Sequence, residues 1–251
     1  MAGFPEGIAY LSFETLDSTN AQARRVLEGG HDAATRPVWI RADTQTAGRG
    51  RMGRSWSSTS GNLMATYVCA PACERHQLAE MGFVAGLALH DTLTSLAPDS
   101  SIALKWPNDV LLEGAKVSGI LLETLDQDMR HVAVGVGVNL DSAPTDTPYP
   151  AIALKSATGQ HHAPDEVLAN LAHALLNRQK KWEADGFAAL RSSWLKRAHG
   201  VGDVIEVRQQ QGVLSGVFVD LSSDGRLVVE TENDGTVMVS AGDVYFGAGY
   251  S

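Results

Sequence analysis

Cysteine is almost missing from this chain: its 251 residues include two, Cys69 and Cys73. Three residues separate them and no His or Cys cluster accompanies them, so neither a zinc site nor a disulfide framework is expected. Two reduced thiols fit a cytoplasmic protein. Long apolar runs are missing too. No stretch of about 18 such residues exists to cross a membrane, and the opening MAGFPEGIAYLSFETL lacks the basic start and apolar run of a secretory leader. Positive charge is in deficit, with 20 Lys and Arg against 29 Asp and Glu, a net of −9. This excludes the broad positive field of non-specific nucleic-acid binding. The motifs GxxxxGKS/T, GxSxG and HExxH do not occur, and the eight histidines show no ligand spacing. P-loop nucleotide binding, the serine-hydrolase elbow and zincin chemistry are thereby set aside.

The charge is unevenly spread. Residues 201–251 hold eight acidic and two basic side chains, whereas the stretch from Arg41 to Arg54 holds Arg41, Arg49, Arg51 and Arg54 against the single acid Asp43. A small cationic island in an acidic protein suits a small anionic ligand better than a polymer.

Asp17, Ser18 and Thr19 before AQARRVLEGG predict an N-capped helix closed by Gly29 and Gly30. PVWIRADTQ and NLMATYVCA are strand candidates flanking a Gly/Ser/Arg loop, and QLAEMGFVAGLALHDTLTSLA has apolar positions at helical spacing. IALKW, DVLLEG, KVSGILLETL and HVAVGVGVNL are short, closely spaced β runs, which favours hairpins and a mixed or antiparallel sheet. The proline-rich DSAPTDTPYP leads to a helical stretch from about Asp165 to Arg197, interrupted at Gly186. From Gly202 the texture turns to short strands (VIEVRQ, GVLSGVFVDLSS, GRLVVETEN, TVMVSAGDVYF) and tight turns, a small barrel-like module. The prediction is an α+β fold with a domain at 1–199 and a small β domain at 200–251.

GRGRMGRSW, Gly48 to Trp56, is the most informative stretch. Gly48, Gly50 and Gly53 allow close backbone approach to a ligand, and Arg49, Arg51 and Arg54 are permanent cations suited to phosphate or carboxylate. Trp56 stacks on a planar base or packs in the core. The match to GxGxxG is rejected, because SWSSTSGN rather than a helix follows it. In LKWPNDVLLEGAKVSGILLET, Lys105, Asn108 and Asp109 surround Pro107, and Lys116 opens a strand beside Ser118-Gly119. An Asp next to an Asn suits magnesium or ribose, although a plain β-turn and a solvated lysine explain the same residues. Gly135 and Gly137 alternate with Val in VAVGVGVNL; glycine within a strand marks either close approach of a ligand or tight packing. Asn139 ends that strand and could read a base edge.

Together these blocks resemble the biotin–protein ligases: DSTN at 17–20, QTAGRGRMGRSW at 45–56, KWPND at 105–109, KVSGILLE at 116–123 and GVGVNL at 135–140, in order and spanning nearly the whole chain. The last fifty residues resemble that family's small SH3-like β-barrel. Met52 stands where some members carry another arginine. The resemblance implies a biotin/lipoate ligase-like catalytic domain that activates biotin with ATP to biotinyl-5′-AMP and passes biotin to a lysine of a carrier. It implies that Ser18, Thr19, Asn20 and Gln45 hold the ureido head, with Gly48, Gly119 and Gly135 giving backbone room. Arg49, Gly50, Arg51 and Lys116 would grip the carboxylate and phosphate region. Trp56 and Asn139 would sit at adenine, with Arg54 in the phosphate-facing loop and Asn108 and Asp109 near phosphate and Mg2+. Lys116, Arg51 and Asp109 are the expected catalytic residues, with Asp109 assisting deprotonation of the carrier lysine. The implied partner is the biotin carboxyl carrier domain of acetyl-CoA carboxylase. Related enzymes dimerise through a sheet edge, and no residue pattern here decides for or against a homodimer.

Three other readings compete. A lipoate or octanoate–protein ligase shares the fold and chemistry, but its consecutive glycines followed by histidine are absent. A biotin-responsive DNA-binding repressor would need three helices before DSTN, which begins at residue 17. A non-catalytic biotin-binding module would have no use for Lys116 together with three loop arginines.

Overall fold

The computed structural model describes residues 3–128, 130–147 and 149–246. Strand β1 (Ala9–Leu16) leads through helix α1 (Thr19–Glu28) to β2 (Val38–Gln45), and the two strands pair in parallel. The chain continues through β3 (Leu63–Cys69), α2 (Met81–Leu96), β4 (Ile102–Lys105), β5 (Asp109–Leu112), β6 (Ala115–Thr124) and β7 (Val132–Val138). These strands form one seven-stranded sheet in the order β1-β2-β3-β7-β6-β5-β4. Every pair but β1–β2 is antiparallel, so the predicted mixed sheet is present. Helices α3 (Leu154–Thr158) and α4 (Pro164–Leu195) follow. Gly186 breaks the helical geometry of α4 with φ 75° and ψ 177°, a conformation open to glycine at little cost.

The sheet is covered on both sides, and its sequence shows why. In β7 the side chains alternate between faces. Val132, Val134, Val136 and Val138 enter the main core with Trp39, Tyr67 and residues of α2 and α4, each burial contributing roughly 1.5–3 kcal/mol. On the opposite face Ala23 of α1 packs on Val38, Ile40, Val68 and Ala133. Helix α1 is only ten residues long and covers only part of that face. The remainder is where the site forms.

A second sheet comprises β8 (Val204–Gln209), β9 (Gly212–Leu221), β10 (Leu227–Thr231), β11 (Gly235–Val239) and β12 (Asp243–Phe246), antiparallel in the order β11-β10-β9-β8-β12. It is the small SH3-like β domain expected; the last five residues of the predicted 200–251 unit lie outside the described residues. Its Ile205, Val207, Phe218 and Val244 belong to the same hydrophobic cluster as α2 and α4. The Trp106 indole N–H donates to the Gly225 carbonyl at 3.1 Å across the junction.

Three expectations need correction. TVMVSAGDVYF is not one strand but β11 and β12, divided at the Gly242 region so that β12 returns to β8. The first turn of the helix predicted from Gln77 belongs to a 3-10 helix, Arg75–Glu80. Ser18 occupies the N-cap of α1 without a side-chain capping bond; the Gln45 side-chain carbonyl accepts from the Thr19 N–H at 2.8 Å instead. Strand β1 and the short α3 escaped the sequence reading. β1 is half exposed and lacks an alternating apolar pattern, and its hydrogen bonds come from β2, 29 positions on.

Candidate active site

Three glycines hollow out the face that α1 leaves open. Gly119 on β6 and Gly137 on β7 are direct cross-strand partners, and Gly135 lies opposite Leu121. A Cβ at Gly135 would collide with Asn20 of α1, and one at Gly137 with the Trp56 indole. The alternation in VAVGVGV therefore serves both readings at once, valines to the core and glycines to the site. The resulting cleft, about 190 Å³, is lined by all but one of the predicted site residues: Ser18, Thr19, Asn20, Gln45, Arg49, Gly50, Arg51, Arg54, Trp56, Asn108, Asp109, Lys116, Gly119, Gly135 and Asn139. The exception is Gly48. It stands behind the wall, where a side chain would press on Ser58, the Trp56 carbonyl and Gln45.

One end of the cleft is neutral and polar. The Thr66 hydroxyl lies 2.8 Å from that of Thr19 and 2.6 Å from Asn20 Oδ1, and Gln45 Oε1 accepts from the Thr19 hydroxyl at 3.1 Å. Asn20 Nδ2 donates to Glu123 at 2.7 Å, and Gln45 Nε2 to Ser58 at 3.1 Å. Side chains locked this way present fixed donors and acceptors. Ser18, 5% exposed, has no side-chain partner among the described residues.

The other end is cationic. The loop carrying the arginines folds as a small hairpin: Gly50 N–H donates to the Arg54 carbonyl at 2.7 Å and Trp56 N–H to the Gly48 carbonyl at 2.9 Å. Met52, at φ 54° and 60% exposed, forms its tip. Arg51 Nη1 donates to Asn108 Oδ1 at 3.3 Å, and burial lowers its pKa. Arg54 pairs with Asp243 of β12 at 2.7 Å and Arg49 with Glu123 at 3.5 Å. Lys116 Nζ lies 2.7 Å from Asp109 Oδ1 and 5.6 Å from the centre of the Trp56 ring. Asn108 is pinned to β6 by Nδ2 donating to the Ile120 carbonyl at 2.8 Å. Five cations and two carboxylates line this cleft in a chain of net charge −9. Field strength there depends on local placement, with low-dielectric walls on both sides.

Arg41 is not part of this cluster. It lies 8% exposed near the sheet edge, pairing with Asp43 at 2.5 Å and Asp165 at 3.4 Å, so the island read from Arg41 to Arg54 contributes three arginines. Thr66, Lys105, Glu123, Gly137, Tyr149 and Asp243 were not singled out as site residues. Gly137 and Lys105 stood inside conspicuous blocks; the rest carried no local signal. Both cysteines are free, Cys69 buried and the Cys73 thiol pushed up by burial to about 11. No helix among the described residues is long and apolar enough to cross a membrane.

Comparison with known proteins identifies the family. The model for the biotin/lipoate A/B protein ligase family matches residues 12–139, and that for the biotin protein ligase C-terminal domain matches residues 202–247. The biotin–[acetyl-CoA-carboxylase] ligase of Paracoccus denitrificans is 38% identical over 239 residues, 92% of this chain and 98% of that protein. The corresponding ligase of Mycobacterium tuberculosis is 31% identical over 90% of this chain and 85% of its own. The biotin protein ligase of Aquifex aeolicus, solved in complex with biotin and ATP, is similar with a TM-score of 0.80 at 26% identity, covering 96% of this chain and 98% of that one. The chain belongs to the biotin/lipoate A/B protein ligase family, among its biotin–protein ligases.

Proposed function

We propose that this protein joins biotin to ATP, giving biotinyl-5′-AMP and pyrophosphate, and then passes the biotinyl group to a lysine of the biotin carboxyl carrier domain of acetyl-CoA carboxylase. The observation that carries this reading is the polarity of the cleft, neutral donors and acceptors at one end and cations at the other. Biotin has the same layout, with a neutral ureido head and a carboxylate tail. Ser18, Thr19, Asn20 and Gln45 hold the head, while Gly119 and Gly135, with Gly48 behind them, let it lie close to the sheet. Arg49, Gly50, Arg51 and Lys116 meet the carboxylate and the α-phosphate. Trp56 and Asn139 take the adenine, with Arg54 and Asn108 towards the phosphates.

In the first step a biotin carboxylate oxygen bonds to the α-phosphorus, and the bridging oxygen departs with its electron pair on pyrophosphate. Two anions must meet, so fixed cations both cancel their repulsion and hold the charge that develops. In the second, the carrier amine attacks the acyl carbon and AMP leaves, with Asp109 accepting the amine proton. Mg2+ would enter with the nucleotide. No group of three His, Cys, Asp or Glu among the described residues could hold a metal by itself, but a phosphate-borne Mg2+ needs only one or two carboxylates. Asp109 supplies one. When bound, the ion neutralises phosphate charge.

The setting proposed is cytoplasmic, without nucleic acid, with the catalytic unit ending near residue 199. The edge strand β1 offers a second copy a place to pair as a homodimer. The test is mass spectrometry of a purified carrier domain incubated with MgATP and biotin, lipoate or octanoate in parallel. Labelling with biotin alone, lost in Lys116→Ala and Arg51→Ala, supports the reading. Labelling with lipoate instead moves the chain to the sister branch, and tight biotin binding without labelling makes it a binding module.

A further inference from the structure

A buried ammonium usually has a carboxylate beside it, because water no longer offsets its charge. Lys116, Arg54 and Arg49, although 28%, 47% and 50% exposed, each keep one, in Asp109, Asp243 and Glu123. Lys105 does not. It is 5% exposed, lies on the cleft wall, and forms no ion pair or hydrogen bond from its side chain among the described residues. Its Nζ lies 3.3 Å from the centre of the Tyr149 ring, with Tyr245 and Phe246 at 6.0 and 5.8 Å. Tyr149 is held there by stacking on Tyr245 and by donating its hydroxyl to the Val244 carbonyl at 2.8 Å. Aromatic faces attract the cation but accept no conventional hydrogen bond, so its three donors stay available. Burial lowers its pKa to about 8, which still leaves it mostly charged at neutral pH.

Its place in the sheet indicates what it could serve. Lys105, Asp109, Gly119 and Gly137 are successive cross-strand partners on β4, β5, β6 and β7. They form one row on one face, with strands about 4.8 Å apart. Trp56 covers the Gly137 end and Lys105 ends the row. Next to Lys105 comes Asp109, which holds Lys116. A nucleotide whose α-phosphate meets Lys116 has two more phosphates to place; Arg49 and Arg54 of the loop already face carboxylates, and Arg51 is bonded to the Asn108 side chain. Lys105 has none.

We propose that Lys105 binds the β- and γ-phosphates of ATP and the pyrophosphate they become, stabilising the charge that arrives on the leaving oxygen. This rests on the ligase reading above. ATP–pyrophosphate exchange with biotin tests it on the full chain, for wild type, Lys105→Met, Lys105→Gln and Lys105→Arg. Transfer to a carrier domain from preformed biotinyl-5′-AMP is measured beside it. The expected result is a roughly 10- to 100-fold rise in KM for both ATP and pyrophosphate in the methionine and glutamine variants. Lys105→Arg should recover most of the loss, and transfer from the adenylate should be unchanged. The melting temperature of Lys105→Met should hold, since a costly buried charge has gone. Unchanged KM values beside an active wild type overturn this inference alone. Exchange, transfer and melting temperature falling together make Lys105 a structural cation and overturn it as well. A wild type without exchange overturns the ligase reading, and this inference with it.

Discussion

Gly137 and Trp56 share one space: the indole of the loop residue fills the position that a side chain on the strand would take. A methyl group there has nowhere to go, because Gly119 on the neighbouring strand meets the same ring at 2.9 Å from its own Cβ position. Gly137→Ala should therefore displace Trp56 while leaving the valine face of β7 packed. Stacking of a base on an aromatic side chain contributes about 1–3 kcal/mol. Both Gly137→Ala and Trp56→Ala should raise KM for ATP roughly tenfold or more, with a smaller change for biotin. Steady-state kinetics with each substrate varied would show it; an equal loss for both would point to collapse of the cleft.

Thr66 does not line the cleft, yet its hydroxyl holds Thr19 and Asn20 together. Thr66→Val keeps the shape and removes the hydrogen bonds, leaving buried polar atoms unpaired at a cost of about 1–3 kcal/mol. Calorimetry should show biotin binding weakened about tenfold, with ATP binding little changed. Unaltered biotin affinity would mean the network is not part of the biotin site.

Asp243 reaches from the small β domain to Arg54 of the loop. The pair is partly exposed, at 47% for the arginine and 27% for the aspartate, so Asp243→Asn should cost less than about 1 kcal/mol of global stability. Its effect should be local. Trypsin should cut after Arg49, Arg51 or Arg54 faster in the variant than in wild type at equal melting temperature, and an unchanged cleavage rate would remove Asp243 as the loop's tether.

Asp91 on α2 and Arg178 on α4 join the two helices through a two-pronged contact at 2.6 and 2.8 Å. Burial alone would raise the Asp91 pKa. The two hydrogen bonds and the charge of Arg178, with His90 close by at 3.9 Å, outweigh it and hold the carboxyl at about 2. The unfolded chain binds this proton near 3.8, so the native state holds fewer protons over the interval between. The contribution is full above about pH 5 and is lost as pH falls through 4 towards 2. Allowing for an aspartate side chain 34% exposed, it amounts to about 1–2 kcal/mol. Urea unfolding of wild type and Asp91→Asn should differ by that much at pH 7 and converge as pH falls towards 2. A constant gap across this range would assign the difference to packing.

Much of the candidate cleft was readable because its parts are local. A strand that alternates Val with Gly declares two different faces. A loop of glycines and arginines suits an anion, and KWPND is the turn joining β4 to β5, next to the β6 strand that carries KVSGILLE, where short connections leave little choice of partner. The two-sheet arrangement was readable for the same reason, since the turns after residue 200 repeat at short intervals.

What the residues alone determined is thus the chemistry available and the local β and helical pattern that carries it. Tertiary structure decided which neighbours in sequence become neighbours in space. Arg41 and Arg49 are eight positions apart, but the first lies near the sheet edge and the second faces the cleft. Asp243 and Lys105 lie 138 positions apart and line one cavity. No local preference encodes the side of a sheet on which a long arginine ends, or which carboxylate a distant strand returns. Those follow from packing of the two sheets into one hydrophobic core, where closing the chain over long distances is repaid only once the whole interface is buried.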